Sequence, residues 1–116
     1  MLVTVTGRKS GKTYTTPVNF SREGDTLAVI SQRNRTWWRN LRGGHPVTIH
    51  MQGQDRQAKG TVVEDTVGVT CALAAYFRKN PQLAKYFRVT LDASGQPVSD
   101  DIARVAQTYV VVYIQM

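Results

Sequence analysis

The sequence predicts a mainly β fold: an antiparallel barrel of about six strands with helices packed on its outside. Three observations carry that expectation. Short β-branched runs separated by Gly- and Asp-containing turns fill the first half of the chain. Helical periodicity dominates only after Asp65, and one last strand closes the chain. The strand–helix–strand alternation of a parallel sheet is missing from the pattern.

The elements follow in order. Leu2 to Thr6 is β-branched and reads as a strand. Gly7-Arg8-Lys9-Ser10-Gly11-Lys12 is a turn with a glycine at its start and another just before its end, suited to a hairpin. Thr13 to Phe20 is the return strand, with Tyr14, Thr16, Val18 and Phe20 on one face. Pro17 donates nothing to a ladder and places that strand at an edge or a bulge. Glu23-Gly24-Asp25 turns into a third strand, Leu27 to Ser31. A polar connection leads to a short helix from Thr36 to Arg42, capped by Thr36 and ended by Gly43-Gly44. Val47 to Gln52 alternates like a half-buried strand, and Gly53-Gln54-Asp55 returns it into a strand from Arg56 to Glu64. Asp65 caps a helix whose Val69, Leu73, Tyr76 and Phe77 form one apolar stripe. Asn80-Pro81 breaks it, and a second helical piece carries Leu83, Ala84 and Phe87. Ser99-Asp100-Asp101 opens a third helix with acids at its positive end. Thr108 to Gln115 is the closing strand.

With 116 residues, the chain is expected to be a single domain over residues 1–116. The longest fully apolar run, Val110 to Ile114, is far short of the roughly 20 residues that span a bilayer. No signal-peptide pattern opens the chain, so a soluble cytoplasmic protein is expected. Lys and Arg number 15 against 8 Asp and Glu, a net charge of +7. Such a surplus attracts anions, and nucleic acid, a membrane surface and a phosphorylated or polycarboxylate small molecule all satisfy it. The cations gather at Arg8, Lys9 and Lys12 and again at Arg33, Arg35, Arg39 and Arg42, which points to one basic pocket or groove.

Chemistry-bearing constellations are few. One cysteine, Cys71, excludes an intrachain disulfide and reads as a buried mid-helix thiol. His45, before Pro46 in a turn, and His50, on an outward strand face, read as surface histidines. No nucleophile, paired-carboxylate or metal constellation is visible, so any redox chemistry would be borne by a cofactor. The basic turn can cradle an anion, because glycine conformations free backbone N–H groups beside two cations and a hydroxyl. It is not a phosphate-binding loop of the Walker type, since its spacing is wrong and a strand follows it. Trp37 and Trp38 stand side by side among arginines. Adjacent helical positions point about 100° apart, so one ring can enter the core while the other lines a site for a planar anion.

The order of these motifs resembles the deazaflavin-dependent nitroreductases and quinone reductases, within the flavin and deazaflavin oxidoreductases. The resemblance runs through Val3-Thr4-Val5-Thr6-Gly7-Arg8-Lys9-Ser10-Gly11, Thr15-Thr16-Pro17-Val18, Gly24-Asp25, Val29-Ile30-Ser31, Trp37-Trp38-Arg39-Asn40-Leu41 and Pro46-Val47-Thr48-Ile49. It implies a split β-barrel of the FMN-binding type and the deazaflavin coenzyme F-420, with FMN as the alternative cofactor. By motif, Arg8, Lys9 and Ser10 would hold the anionic tail, while Thr16, Pro17 and Val18 line the ring. Ser31 and Gln32 would lie near the chain reversal, and Trp37, Trp38 and Asn40 would border the cofactor from the short helix. The chain departs from the family in a shorter segment after Ser31 and in Asn19, where an aromatic is frequent. The implied function is hydride transfer to a quinone, nitro compound or activated alkene, with a water or a tyrosine such as Tyr14 supplying a proton. The partners would then be an anionic redox cofactor, a small hydrophobic electron acceptor and a second copy in a homodimer. A cofactor carrier and a basic nucleic-acid-binding barrel are the competing readings.

Overall fold

The computed structural model describes residues 1–7 and 11–116. Seven strands form one antiparallel sheet: β1 (Leu2–Thr6), β2 (Thr13–Pro17), β3 (Ser21–Glu23), β4 (Thr26–Gln32), β5 (His45–Met51), β6 (Gln54–Val63) and β7 (Tyr109–Gln115). Three helices follow β6: α1 (Thr66–Lys79), α2 (Pro81–Tyr86) and α3 (Ser99–Thr108). The strand order β2-β1-β5-β6-β7-β4-β3 leaves β2 and β3 at opposite ends of a curled sheet. This is the expected antiparallel split barrel with flanking helices.

One strand more forms than the sequence predicts. The run Thr13 to Phe20 is not continuous, because β2 ends at Pro17 and the chain crosses to the far end of the sheet before β3. Pro17 explains the break: it has no N–H to continue a ladder. Val18 N–H then bonds the Met1 carbonyl at 2.9 Å, which fixes the departure point. His45 and Pro46 also lie in a strand, not a turn. Pro46 is tolerated because β1 pairs with β5 only over Thr48 to His50. The β5–β6 hairpin closes through Gln52 and Gly53, whose φ values of 54° and 74° suit a two-residue turn of the primed type.

Two apolar layers share β7. Inside the curl, Val3, Val5, Leu27, Val29, Leu41, Val47, Ile49, Val110, Val112 and Ile114 pack with both tryptophans. Outside it, Val111 meets Val69, Leu73, Phe77, Ile102 and Val105 from α1 and α3. Burial on both faces explains why β7 reads as an unbroken apolar run rather than an alternating one. It also removes that run as a surface for a second copy. Asp65 caps α1 as expected, its carboxylate accepting from Gly68 N–H at 2.7 Å. Cys71 is exposed, contrary to expectation. It stands two residues, about 200°, from Val69 and Leu73 on the helix, so the stripe that buries them turns it outward.

Candidate functional site

The segment Trp37–Leu41 is a single 3₁₀ helix, not an α-helix, and Thr36 makes no side-chain cap. Its bonds run from Arg39 N–H to the Thr36 carbonyl at 3.1 Å and from Arg42 N–H to the Arg39 carbonyl at 3.4 Å. Both indoles are buried, Trp37 to 7% and Trp38 to 3% exposure, and each is tied to the end of β4. Trp37 Nε1 donates to Ser31 Oγ at 3.1 Å, and Trp38 Nε1 donates to the Gln32 carbonyl at 3.2 Å. Neither ring is an exposed stacking platform, nor is the pair free to meet a second copy.

A cleft of about 410 Å³ opens beside Trp37, a volume within the ordinary range for small-molecule sites. Its position follows from the strand register. β3 covers β4 only over Thr26 to Ala28, so among the described residues the edge of β4 from Val29 to Gln32 has no neighbouring strand on that side. The cleft lies over this open edge. Thr16, Pro17, Val18 and Asn19 form one wall. A second part of the lining is aromatic, with Tyr76 from α1, Tyr86 and Phe87 at the end of α2, and Tyr109 at the start of β7. Phe87 and Tyr109 meet edge to face with centroids 5.1 Å apart, and Tyr86 meets Phe87 the same way at 5.2 Å. Burial pushes the Tyr76 hydroxyl above its ordinary pKa.

The arginine cluster resolves into four separate roles. Arg33 Nε and Nη2 donate to the Ala106 carbonyl at 3.1 and 2.8 Å, which places a cation at the negative end of α3. Arg39 and Arg42 stack on the Trp38 ring at 5.6 and 5.4 Å. Arg42 also grips Glu64 through two bonds of 2.8 and 2.9 Å, which hold its guanidinium above its ordinary pKa. Arg35 reaches the cleft, where Nη2 donates to Thr16 Oγ1 at 3.1 Å. Among the described residues it is the one cation on the cleft lining.

Six of the sequence-predicted site residues therefore come together: Thr16, Pro17, Val18, Ser31, Gln32 and Trp37. Two do not line the cleft. Trp38 stands behind the Gln32 carbonyl, and Asn40 donates to the Trp37 carbonyl at 3.2 Å, fixing the turn that carries the indole. Arg8, Lys9 and Ser10 lie outside the described residues. Tyr14 is 47% exposed and is not on the lining. Sequence reasoning missed the aromatic wall, although Tyr76 and Phe87 were visible in helical stripes and Arg35 in the cation cluster. His50 is half-buried rather than a plain surface histidine. Its Nε2 lies 3.1 Å from Thr4 Oγ1, its Nδ1 is bonded to Asp55, and all three are away from the cleft.

The family described as F420H(2)-dependent quinone reductase matches residues 1–95. Among solved structures, an F420 reductase is similar at 18% identity and a TM-score of 0.48, covering 98% of this chain and 82% of that one. The flavocytochrome Anf3 from Azotobacter vinelandii is similar at 13% identity and a TM-score of 0.49, covering 99% of this chain and 61% of that one. No curated protein matches.

Proposed function

The chain belongs to the F420H(2)-dependent quinone reductase family, and on that premise we propose that it reduces a quinone in the cleft beside Trp37, with nitro compounds and activated alkenes as further acceptors. Family membership makes it a deazaflavin-dependent oxidoreductase whose cofactor is coenzyme F-420. When bound, that cofactor supplies the hydride.

The cleft fits a planar ring with polar edges. An unpaired strand edge presents backbone groups along Val29 to Gln32, Trp37 gives an apolar surface, and Arg35 gives one positive charge. Thr16, Pro17 and Val18 would face the ring from the opposite strand, and Ser31 and Gln32 from β4. Arg8, Lys9 and Ser10 remain the proposed holders of the anionic tail. Phe87, Tyr86 and Tyr109 give the acceptor an aromatic wall and keep water from the reacting face. Reduction of a quinone to a hydroquinone also needs a proton. A tyrosine hydroxyl is protonated at neutral pH, and Tyr76, on the cleft lining, is the side chain proposed to supply it.

The observation that carries this reading is the meeting of the open β4 edge, Arg35 and the aromatic wall in one cleft. The test is a tryptophan-fluorescence titration with coenzyme F-420, followed by turnover of the reduced coenzyme with a quinone. Binding and turnover together are expected. Binding without turnover would leave a carrier, and preferential binding of FMN would replace the cofactor.

A further inference from the structure

We infer that the outer face of the sheet carries a second activity, independent of the reductase reading: Thr4, His50 and Asp55 form a nucleophile, base and acid row that hydrolyses small carboxylic esters.

The strand register assembles this row from residues far apart in the chain. Val3 and Val5 are buried inside the curl, so alternation turns Leu2 and Thr4 to the outer face. On β5 the same alternation buries Val47 and Ile49 and turns Thr48 and His50 outward. His50 pairs with Asp55 across the β5–β6 hairpin, and Thr4 pairs with Thr15 across the β1–β2 hairpin. Thr4 Oγ1 lies 3.1 Å from His50 Nε2, and His50 Nδ1 is bonded to Asp55 Oδ1. A carboxylate only accepts, so in the neutral ring Nδ1 carries the proton and Nε2 presents its lone pair to the Thr4 hydroxyl. A base within hydrogen-bond reach, itself oriented by a third group, is what activates a hydroxyl nucleophile. With the Thr4 proton directed at His50, Thr15 Oγ1, 2.8 Å from Thr4 Oγ1, is the donor beside the reacting oxygen. Leu2 stands opposite His50 in the β1–β5 ladder and is half-exposed, which gives the acyl group an apolar rest.

The reaction balances with water as the co-reactant. Thr4 Oγ1 bonds the ester carbonyl carbon as its proton passes to His50 Nε2. The bond from that carbon to the alkoxy oxygen then breaks, and the alcohol leaves with the proton. Water attacks the acylated Thr4 and gives a proton to His50. The carboxylic acid is released as that proton returns to Thr4 Oγ1.

The experiment follows p-nitrophenolate release from p-nitrophenyl acetate by the full chain, with acid-quenched samples mapped for the acetylated residue. Release past one equivalent per chain is expected, with the acetyl group on Thr4. Thr4→Val and His50→Phe should each lower the rate by about 100-fold, the lower end of what a positioned general base contributes. Thr4→Ser keeps the hydroxyl and should both turn over and carry the acetyl group, which decides the matter if Thr4→Val does not fold. His45→Gln, outside the row, should leave the rate unaltered. Release that stops at one equivalent, acetyl groups on lysines or the Met1 amine alone, or a rate that survives Thr4→Val and His50→Phe would overturn the inference. Loss of the rate in His45→Gln would do the same, by assigning it to a lone imidazole.

Discussion

Trp37 and Trp38 share a composition and a neighbourhood, yet the fold gives them opposite duties, and Arg35 repeats the lesson among the arginines. Of four arginines between positions 33 and 42, three are engaged in holding the scaffold and one reaches the cleft. Removing Arg35 should therefore weaken coenzyme F-420 selectively. The expected loss for Arg35→Gln is about 1.5–3 kcal/mol, the scale of a hydrogen bond to a charged group, or roughly 10- to 150-fold in Kd. A fluorescence titration reads it directly, and an unchanged Kd in a folded variant would take Arg35 out of the site. Gly60 makes a second prediction at this scale. A Cβ there would lie 3.0 and 3.2 Å from the two methyls of Leu41 and 3.4 Å from Val47. Leu41 is fully buried and ends the turn that carries both indoles. Gly60→Ala should cost about 1–3 kcal/mol through overpacking, read as a lower urea midpoint with an unchanged slope.

Among the elements, α3 matters because it holds the segment that carries Phe87. Arg104 Nη2 donates to the Arg88 carbonyl at 2.7 Å, and Asp101 accepts from Thr90 N–H at 2.8 Å. That backbone N–H bond holds the Asp101 carboxyl below its ordinary pKa. A lowered folded-state pKa contributes stability above the unfolded carboxylate value and loses it as pH falls through the folded value. Asp101→Asn should thus flatten the acid limb of a melting-temperature-against-pH profile and leave the alkaline limb unaltered. An acid limb identical to wild type would show that Asp101 contributes nothing to it. The same region shows where sequence reading stops. Asp65, the α1 stripe and the Asn80-Pro81 break were all legible, since caps, periodicity and proline act locally. The cleft wall depends on α2 and β7 meeting β4 across the chain, and no local signal announces that meeting. Cys71 failed for a related reason: its helical phase was readable, but a single thiol was weighed by residue type rather than by phase. Pro17 was seen as an interruption, while the crossing to a separate β3 was not.

At the scale of the molecule, the sheet has two ends, and what covers them decides the assembly. Val110 to Ile114 is the strand between two apolar layers and both indoles are buried, so neither is a surface for a second copy. A homodimer is proposed through β2, which pairs with β1 on one side and, among the described residues, has no strand on its other side. An open edge recruits another strand unless charge or proline blocks it, and in this five-residue strand Pro17 stands only at the end. β2 also carries Thr16 and Pro17 into the cleft, so a second copy paired along it would hold one cleft wall from both sides. Symmetric pairing of β2 with its own copy satisfies the rule that most homodimers are two-fold. Light scattering at micromolar concentration should then return twice the mass of one chain. Thr13→Lys, exposed at the start of β2, should return the monomer and raise the Kd for coenzyme F-420 together, because the same strand serves both contacts. A wild-type monomer would remove the dimer altogether, and a monomeric Thr13→Lys variant with unchanged affinity would separate assembly from the site.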